Sequence, residues 1–284
     1  MKAVRYLVGA TLVLASFVSC TTTQVVSPED NVVPIQSLAQ DGDTLLVLDA
    51  SSEKELVSSI VGDTVSKKSK KISVEITPTD DTYPMSDYDI NAVVEGNFPS
   101  LTTKIALSAL SDGNMEREDG YPYYVIDGNQ VGVLKTNMVG YSSSSYASLA
   151  KKIDEKNVGI DVETVLSLYS SDIGFYSIKP QTIFDLGLGL TQPMVQHMDS
   201  ILILIDTGDE NVLNATFDLD TEESAATLNK LVKLGYISQL KKNGEKLDYS
   251  VLKLMFTEEG DIVNITQMPV TEEQMASLKA SIKK

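Results

Sequence analysis

Past residue 40 the chain is built from short runs of alternating apolar and polar residues, broken by stretches with helical spacing. Leu45-Leu46-Val47-Leu48 and Ile72-Ser73-Val74-Glu75-Ile76 read as strands, and between them Leu56, Val57, Ile60 and Val61 fall on one face of a helix. Near residue 172 the pattern begins again. Ile173-Gly174-Phe175-Tyr176 answers the first strand, and Ile201-Leu202-Ile203-Leu204-Ile205 answers the second. Leu213-Asn214-Ala215-Thr216-Phe217-Asp218 matches Ile90-Asn91-Ala92-Val93-Val94-Glu95, and a helix follows each, over Glu222 to Leu234 and Ser100 to Leu110. Ala276-Ser277-Leu278 with Ile282 closes the second half as Ala147-Ser148-Leu149 with Ile153 closes the first. The outer anchors are offset by about 129 residues, and five matches in the same order imply a duplication.

Each half is predicted to run strand, helix, strand, strand, helix, two-stranded hairpin, helix. Asp127-Gly128-Asn129 and Glu259-Gly260-Asp261 supply hairpin turns, and Asn243-Gly244 a turn ahead of a strand. Thr271-Glu272-Glu273-Gln274 has the capping-box pattern of a helix start. Short turns cannot join parallel neighbours. The expected class is therefore α+β, with two duplicated domains, each a mainly antiparallel sheet with helices packed on one face. The first repeat spans 41–158 and the second 172–284. They are joined by a helical linker over 159–171, in which Val162, Val165, Leu166 and Tyr169 recur at helical spacing.

The N-terminus has a different character. Lys2 and Arg5 precede an apolar run from Tyr6 to Val18, which ends at Phe17-Val18-Ser19-Cys20 and a polar Thr21-Thr22-Thr23-Gln24. The run is shorter than the roughly twenty residues of a transmembrane helix. A basic start, an apolar stretch and small residues at the cut site form a signal-peptide pattern over residues 1–19. The final tetrad resembles the lipobox of bacterial lipoproteins, and with Phe at its first position it resembles the relaxed form found in spirochaetes. That resemblance implies acylation of Cys20, palmitate-type chains among them, and a polar tether over 20–40. Cys20 is the single cysteine, so a lipidated chain would hold no disulfide, thiolate metal site or cysteine nucleophile. Two or more acyl chains give stable membrane attachment where one is marginal. The implied location is the cell envelope, periplasm-facing or surface-exposed.

Charge narrows the partners. The formal net charge is −17, and it becomes −19 once Lys2 and Arg5 leave with the leader. Nucleic-acid binding depends on cations that neutralise phosphates, so no nucleic-acid partner is expected. The one basic run, Lys67-Lys68-Ser69-Lys70-Lys71, reads as a solvated loop between a helix and a strand.

Candidate chemistry is sparse. His197 is the lone histidine, no Gly-x-Ser-x-Gly elbow or phosphate loop occurs, and Gly187-Leu188-Gly189-Leu190 lacks a third glycine. Asp112 to Asp119 begins like a calcium loop but has Arg117 where the turn needs glycine. It reads as a solvated acidic loop. Tyr121-Pro122-Tyr123-Tyr124 could line a groove, and tyrosines entering a strand more often pack. No catalytic residue, metal ligand or cofactor is assigned.

One segment stands out. Thr182 to Met198 is apolar around more than one face and is loosened by Gly187, Gly189 and Pro193. It reads either as a helix buried between the two repeats or as a mobile element contacting an apolar ligand or the bilayer. Phe184, Leu188, Leu190 and Met194 would make that contact. The leading expectation is a lipid-anchored, non-enzymatic interaction or structural protein of the envelope. The alternatives are a lipid-binding or membrane-perturbing lipoprotein using 182–198 and, last, a carboxylate-based hydrolase.

Overall fold

A computed structural model describes residues 34–38, 44–79, 88–155, 160–178, 180, 195–244, 246 and 248–282. Along the chain, α1 (34–38) precedes β1 (Thr44–Asp49), α2 (Lys54–Val61), α3 (Asp63–Ser66), β2 (Ser69–Pro78), β3 (Tyr88–Gly96) and α4 (Ser100–Leu110). A meander follows, β4 (Met115–Glu118), β5 (Tyr121–Ile126), β6 (Asn129–Lys135) and β7 (Met138–Ser142), then α5 (Tyr146–Glu155) and α6 (Val162–Ser170). The second half comprises β8 (Ile173–Ser177), β9 (Met198–Thr207), β10 (Asn211–Leu219), α7 (Glu222–Asn243), α8 (Tyr249–Met255), β11 (Phe256–Glu259), β12 (Ile262–Pro269) and α9 (Glu272–Ile282).

The class is α+β with a large antiparallel sheet, as the turn lengths require. Among the described residues, all twelve strands join one sheet in the order β11-β12-β10-β9-β8-β1-β2-β3-β7-β6-β5-β4. Separate sheets on either side of residues 159–171 are therefore not formed. The first strands of the two halves pair directly, from Thr44 opposite Ser177 to Leu48 opposite Ile173. Outward from that seam the strand order repeats, β1-β2-β3-β7-β6 on one side and β8-β9-β10-β12-β11 on the other. Ile76 stands opposite Thr44 just as Ile205 stands opposite Ile173, which is the offset read from the sequence. The first half adds the hairpin β4–β5 at its edge, where the second half has α8.

Helices cover both faces rather than one. Leu46, Leu48, Val74, Ala92, Phe175 and Ile205 point to a face packed by Leu56, Val57 and Ile60 of α2, Leu107 of α4 and Met275 of α9. On the same face, Ile201, Phe217 and Val263 pack under Ala225 and Leu228 of α7 and Leu252 and Met255 of α8. Leu45, Val47 and Val93 point the other way, against Ile35 and Leu38 of α1, Leu149 and Ile153 of α5, and Val165 and Leu168 of α6. Of the residues forecast for the linker helix, Val165 is fully buried, but Val162 and Leu166 lie exposed.

Three rows of side chains explain why α5 and α6 sit where they do. In one row Glu75, Asn91, Ser142 and Gln130 lie opposite one another on β2, β3, β7 and β6. Gln130 Oε1 accepts the Tyr146 backbone N–H at 2.6 Å, and Ser142 Oγ accepts those of Ser144 and Ser145 at 3.3 and 3.0 Å. The orphan donors at the start of α5 are thus met by the sheet. Buried Glu75 receives Lys152 Nζ of α5 and Asn91 Nδ2, each at 2.7 Å. The next row runs Gly174-Val47-Ser73-Val93-Gly140-Gly132. A Cβ on Gly132 would stand 2.5 Å from Cζ of Tyr146, and one on Gly174 would stand 2.8 Å from Leu168 Cδ2. These glycines are the seats of the two helices. The register equivalents in the second half, Thr216, Asn264 and Thr257, carry side chains, and α9 packs on the opposite face instead.

The third row, Asp49-Lys71-Glu95, holds the end of α6. Lys71 belongs to the run expected as a solvated loop, yet it is buried at the start of β2. Its Nζ lies 3.3 Å from Asp49 Oδ2 and donates to the carbonyls of Tyr169 and Ser171, the latter at 3.3 Å. A cation at a helix C-terminus complements the unpaired carbonyls there.

Two further expectations change. The acidic stretch from Asp112 contains the edge strand β4, whose residues are all exposed. Asn243-Gly244 ends α7 rather than opening a strand: Gly244 takes a left-handed φ of 73° and donates its N–H to Leu240 and Lys241.

Seating α5 on glycine makes a test. Gly132→Val is expected to lower stability by about 1–3 kcal/mol through overpacking, read as a lower urea midpoint. Gly208→Ala, with nothing within 4 Å of the added carbon, should leave the midpoint unchanged. Equal midpoints for both variants would show that Tyr146 is not seated on the sheet.

Candidate functional site

Because α9 crosses to the face shared with α2 and α7, it roofs a cavity. Phe175, Ile203, Ile205 and Leu213 of β8, β9 and β10 form the floor, Met268 and Val270 one wall, and Gln274, Ser277, Leu278 and Ser281 the underside of the helix. The volume is about 290 Å³. The capping box read from the sequence starts the helix: Thr271 N–H donates to Gln274 Oε1 at 2.9 Å, and Gln274 N–H donates to Thr271 Oγ1 at 3.3 Å. Met275 is the one fully buried anchor among the described residues of α9.

Polar contacts do the remaining fastening. Lys279 Nζ meets Glu53 Oε2 at 2.8 Å, and the Glu53 side chain is almost wholly buried with Oε1 unpartnered. Gln274 and Gln239 of α7 exchange reciprocal amide bonds at 3.2 Å, and Asn211 Nδ2 donates to Glu272 Oε1 at 3.0 Å. The helix is held by buried Met275, by the half-buried Leu278 and Ile282, and by a ring of polar bonds.

A second feature lies on the outer side of this helical layer. Leu231 and Leu234 of α7 and Tyr249, Val251 and Leu254 of α8 face solvent, with Leu254 78 % exposed; Leu101 and Ile105 of α4 are exposed separately, over β5 and β6 toward the other end of the sheet. Isolated apolar residues on a surface are ordinary, whereas groups of them mark contact sites. Those of α7 and α8 are interleaved with Lys230, Lys233, Lys241, Lys242 and Lys253 in a chain of strong negative charge. The sequence offered a signal for this: Leu228, Leu231, Val232 and Leu234 place apolar groups on more than one side of a single helix.

Cys20, Phe184, Leu188, Leu190 and Met194 lie outside the described residues. At the end of their segment, Val195 and Met198 are buried, and Met198 belongs to the core beneath α7 and α8. Tyr123 and Tyr124 pack on opposite faces of the sheet. Tyr123 stacks at 6.0 Å from Tyr146 and donates its hydroxyl to Glu116 Oε2 at 3.0 Å. His197 forms an exposed pair with Asp220, Nδ1 to Oδ2 at 2.8 Å. Contacts with His197, Ser224 and Thr221 hold the Asp220 carboxyl below its usual range. Among the described residues no group of three or more His, Cys, Asp and Glu could hold a metal ion, and no helix is long and apolar enough to cross a membrane.

No family model matches the sequence, and neither does any curated protein. Solved structures do. Crystal form I of the Treponema protein TP0453 has a TM-score of 0.57 at 13 % identity, covering 88 % of this chain and 97 % of that one. Crystal form III gives 0.57 at 14 % identity over 87 % and 98 %, and crystal form IV 0.58 at 12 % over 86 % and 95 %. The two chains have a similar fold over nearly their whole lengths.

The fastening of α9 can be measured. Lys279→Met strands the buried Glu53 carboxylate, and because Lys279 is itself one-third exposed the expected cost is reduced to about 2 kcal/mol. Glu53→Gln together with Lys279→Met should recover much of the loss. A Lys279→Met protein as stable as the parent would show that the ion pair does not hold the helix.

Proposed function

We propose that this protein is a non-enzymatic lipoprotein of a bacterial cell envelope, anchored through acyl chains on Cys20, with the outer surface of α7 and α8 as its contact face. The observation that carries the reading is the exposure of Leu231, Leu234, Val251 and Leu254 among lysines on an otherwise acidic protein. Such a face suits a partner that is apolar at its centre and acidic at its rim. The anchor rests on the lipobox resemblance at Phe17-Val18-Ser19-Cys20. The relaxed form of that tetrad resembles that of spirochaete lipoproteins.

A second reading, binding of an apolar ligand such as a lipid chain, is favoured by the cavity beneath α9. Its floor is apolar, and its volume of about 290 Å³ lies just below the lower end of small-ligand sites, roughly 300 Å³.

Fractionation tests the anchor. Cys20→Ala should move the protein from the membrane to the soluble fraction with an unchanged melting temperature, and retention in the membrane would contradict it. Photo-crosslinking tests the face. A photoactivatable residue at Leu234 or Leu254 in the anchored protein should form adducts with an envelope protein, and one at exposed Asp209 should form none. Adducts with lipid alone would favour the second reading, and no adduct at any position would remove the contact face.

A further inference from the structure

Lys71 stands between two carboxylates and is bonded to only one of them. Asp49 on β1 and Glu95 on β3 are its direct cross-strand neighbours on the face that carries α6. Residues directly opposite in antiparallel strands have Cβ atoms about 5 Å apart, so either carboxylate is within reach of the ammonium. The ammonium goes to Asp49, at 3.3 Å, and to the Tyr169 and Ser171 carbonyls at the end of α6, with the Tyr169 ring centroid 4.8 Å away. Neither oxygen of the buried Glu95 carboxyl has a hydrogen-bond partner. Asp49 is the better-solvated acid. It is a quarter exposed and accepts from the Ser51 hydroxyl at 2.5 Å and the Ser51 backbone N–H at 2.8 Å.

We propose that Glu95 is a proton-operated latch for α6. With the carboxyl protonated, Lys71 is committed to Asp49 and to the helix end. When the proton leaves to solvent, the new carboxylate draws the ammonium away, and the last turn of α6 loses its cation. Helix α6 carries the exposed Val162 and Leu166 and links the two halves of the chain. The latch therefore couples the seating of that link to pH.

The groups facing Glu95 support this arrangement. From β2 they are Lys71 and its neighbour Lys70, from β1 Asp49, and from α6 Tyr169. From β7 the opposite residue is the uncharged Met138, with Lys135 beyond it on β6, and the α5 cation Lys152 is taken by Glu75. Burial dominates the balance and pushes the Glu95 carboxyl up to about 8, with the two lysines opposing it. The raised value fixes the sign. The contribution of Glu95 to stability is full below the ordinary carboxyl range, and it is lost as pH rises through about 8.

Hydrogen exchange at the Ser171 amide, which donates to Ser167 O at 3.2 Å, reads the last turn directly. After correction for intrinsic exchange, protection in the wild type should fall by up to about tenfold for each pH unit as pH rises from the ordinary carboxyl range to about 8, and level off above it. In Glu95→Gln it should stay flat. An equal fall in both proteins, or no fall in the wild type, would overturn the latch. The unmodified protein gives an independent check through the carboxyl-carbon NMR titration of Glu95. A midpoint near 8 supports the proposal, and one in the ordinary carboxyl range refutes it.

Discussion

Everything else in the molecule depends on the backbone pairing of β1 with β8. Without it β1 and β8 would each be a sheet edge, with unpaired N–H and C=O groups, and β1 is apolar on both faces. Instead Thr44 to Leu48 pairs with Ser177 to Ile173, and the hydroxyl of Thr44 donates to that of Ser177 at 2.9 Å within the interior. The seam is reinforced at its far end, where Asp49 N–H donates to Asp172 O and the Asp172 carboxylate accepts from the backbone and hydroxyl of Thr207 at 2.6 and 2.8 Å. Leu46, Leu48, Ile173 and Phe175 then belong to one core. Most of that core comes from the first half, and Ile173, Phe175, Ile205 and Met275 reach into it from across the seam, so the first half does not close its core alone.

The seam also explains how two halves with one strand order came to carry different surfaces. Glycines at 132, 140 and 174 let α5 and α6 lie flat on one face, whereas Thr216, Asn264 and Thr257 fill the matching row in the second half. With no glycine seat beneath it, α9 follows its own apolar residues, Met275 and Leu278, to the opposite face. That crossing creates the cavity over Phe175 and Ile203. The extended α7 and the added α8 bring the outward leucines and lysines. The features that could meet a partner therefore belong mainly to the second half, and the first half supplies the fully packed platform.

Much of this was legible in the residues. Period-two alternation located β2, β3, β9 and β10, and the constant offset placed Ile76 and Ile205 at equivalent register positions. The seam had a signal that was open to another reading. Leu45 to Leu48 is apolar without alternation, which is the mark of a strand buried on both faces. What escaped was whatever depends on partners distant in sequence. Met115 to Glu118 has no apolar face, and it becomes a strand only because β5 lies beside it. Lys71 looks like one more lysine in a basic run until α6 folds over it. Gly132 and Gly140 resemble strand breakers and turn out to make room, Gly132 for Tyr146 and Gly140 for Leu134 and Tyr146. Phe184, Leu188, Leu190 and Met194 lie outside the described residues, and the exposed apolar groups among the described ones include Leu231, Leu234, Val251 and Leu254.

The central claim is that one sheet and one shared core unite the two halves into a single cooperative body. Hydrogen exchange across a urea series, followed by mass spectrometry on peptides containing Leu45 to Leu48, Ile173 to Tyr176 and Leu213 to Asp218, tests it most directly. All three are expected to lose protection at one urea midpoint. Loss of protection over Leu213 to Asp218 at a lower midpoint, with Leu45 to Leu48 still protected, would contradict it and return the molecule to two independent domains.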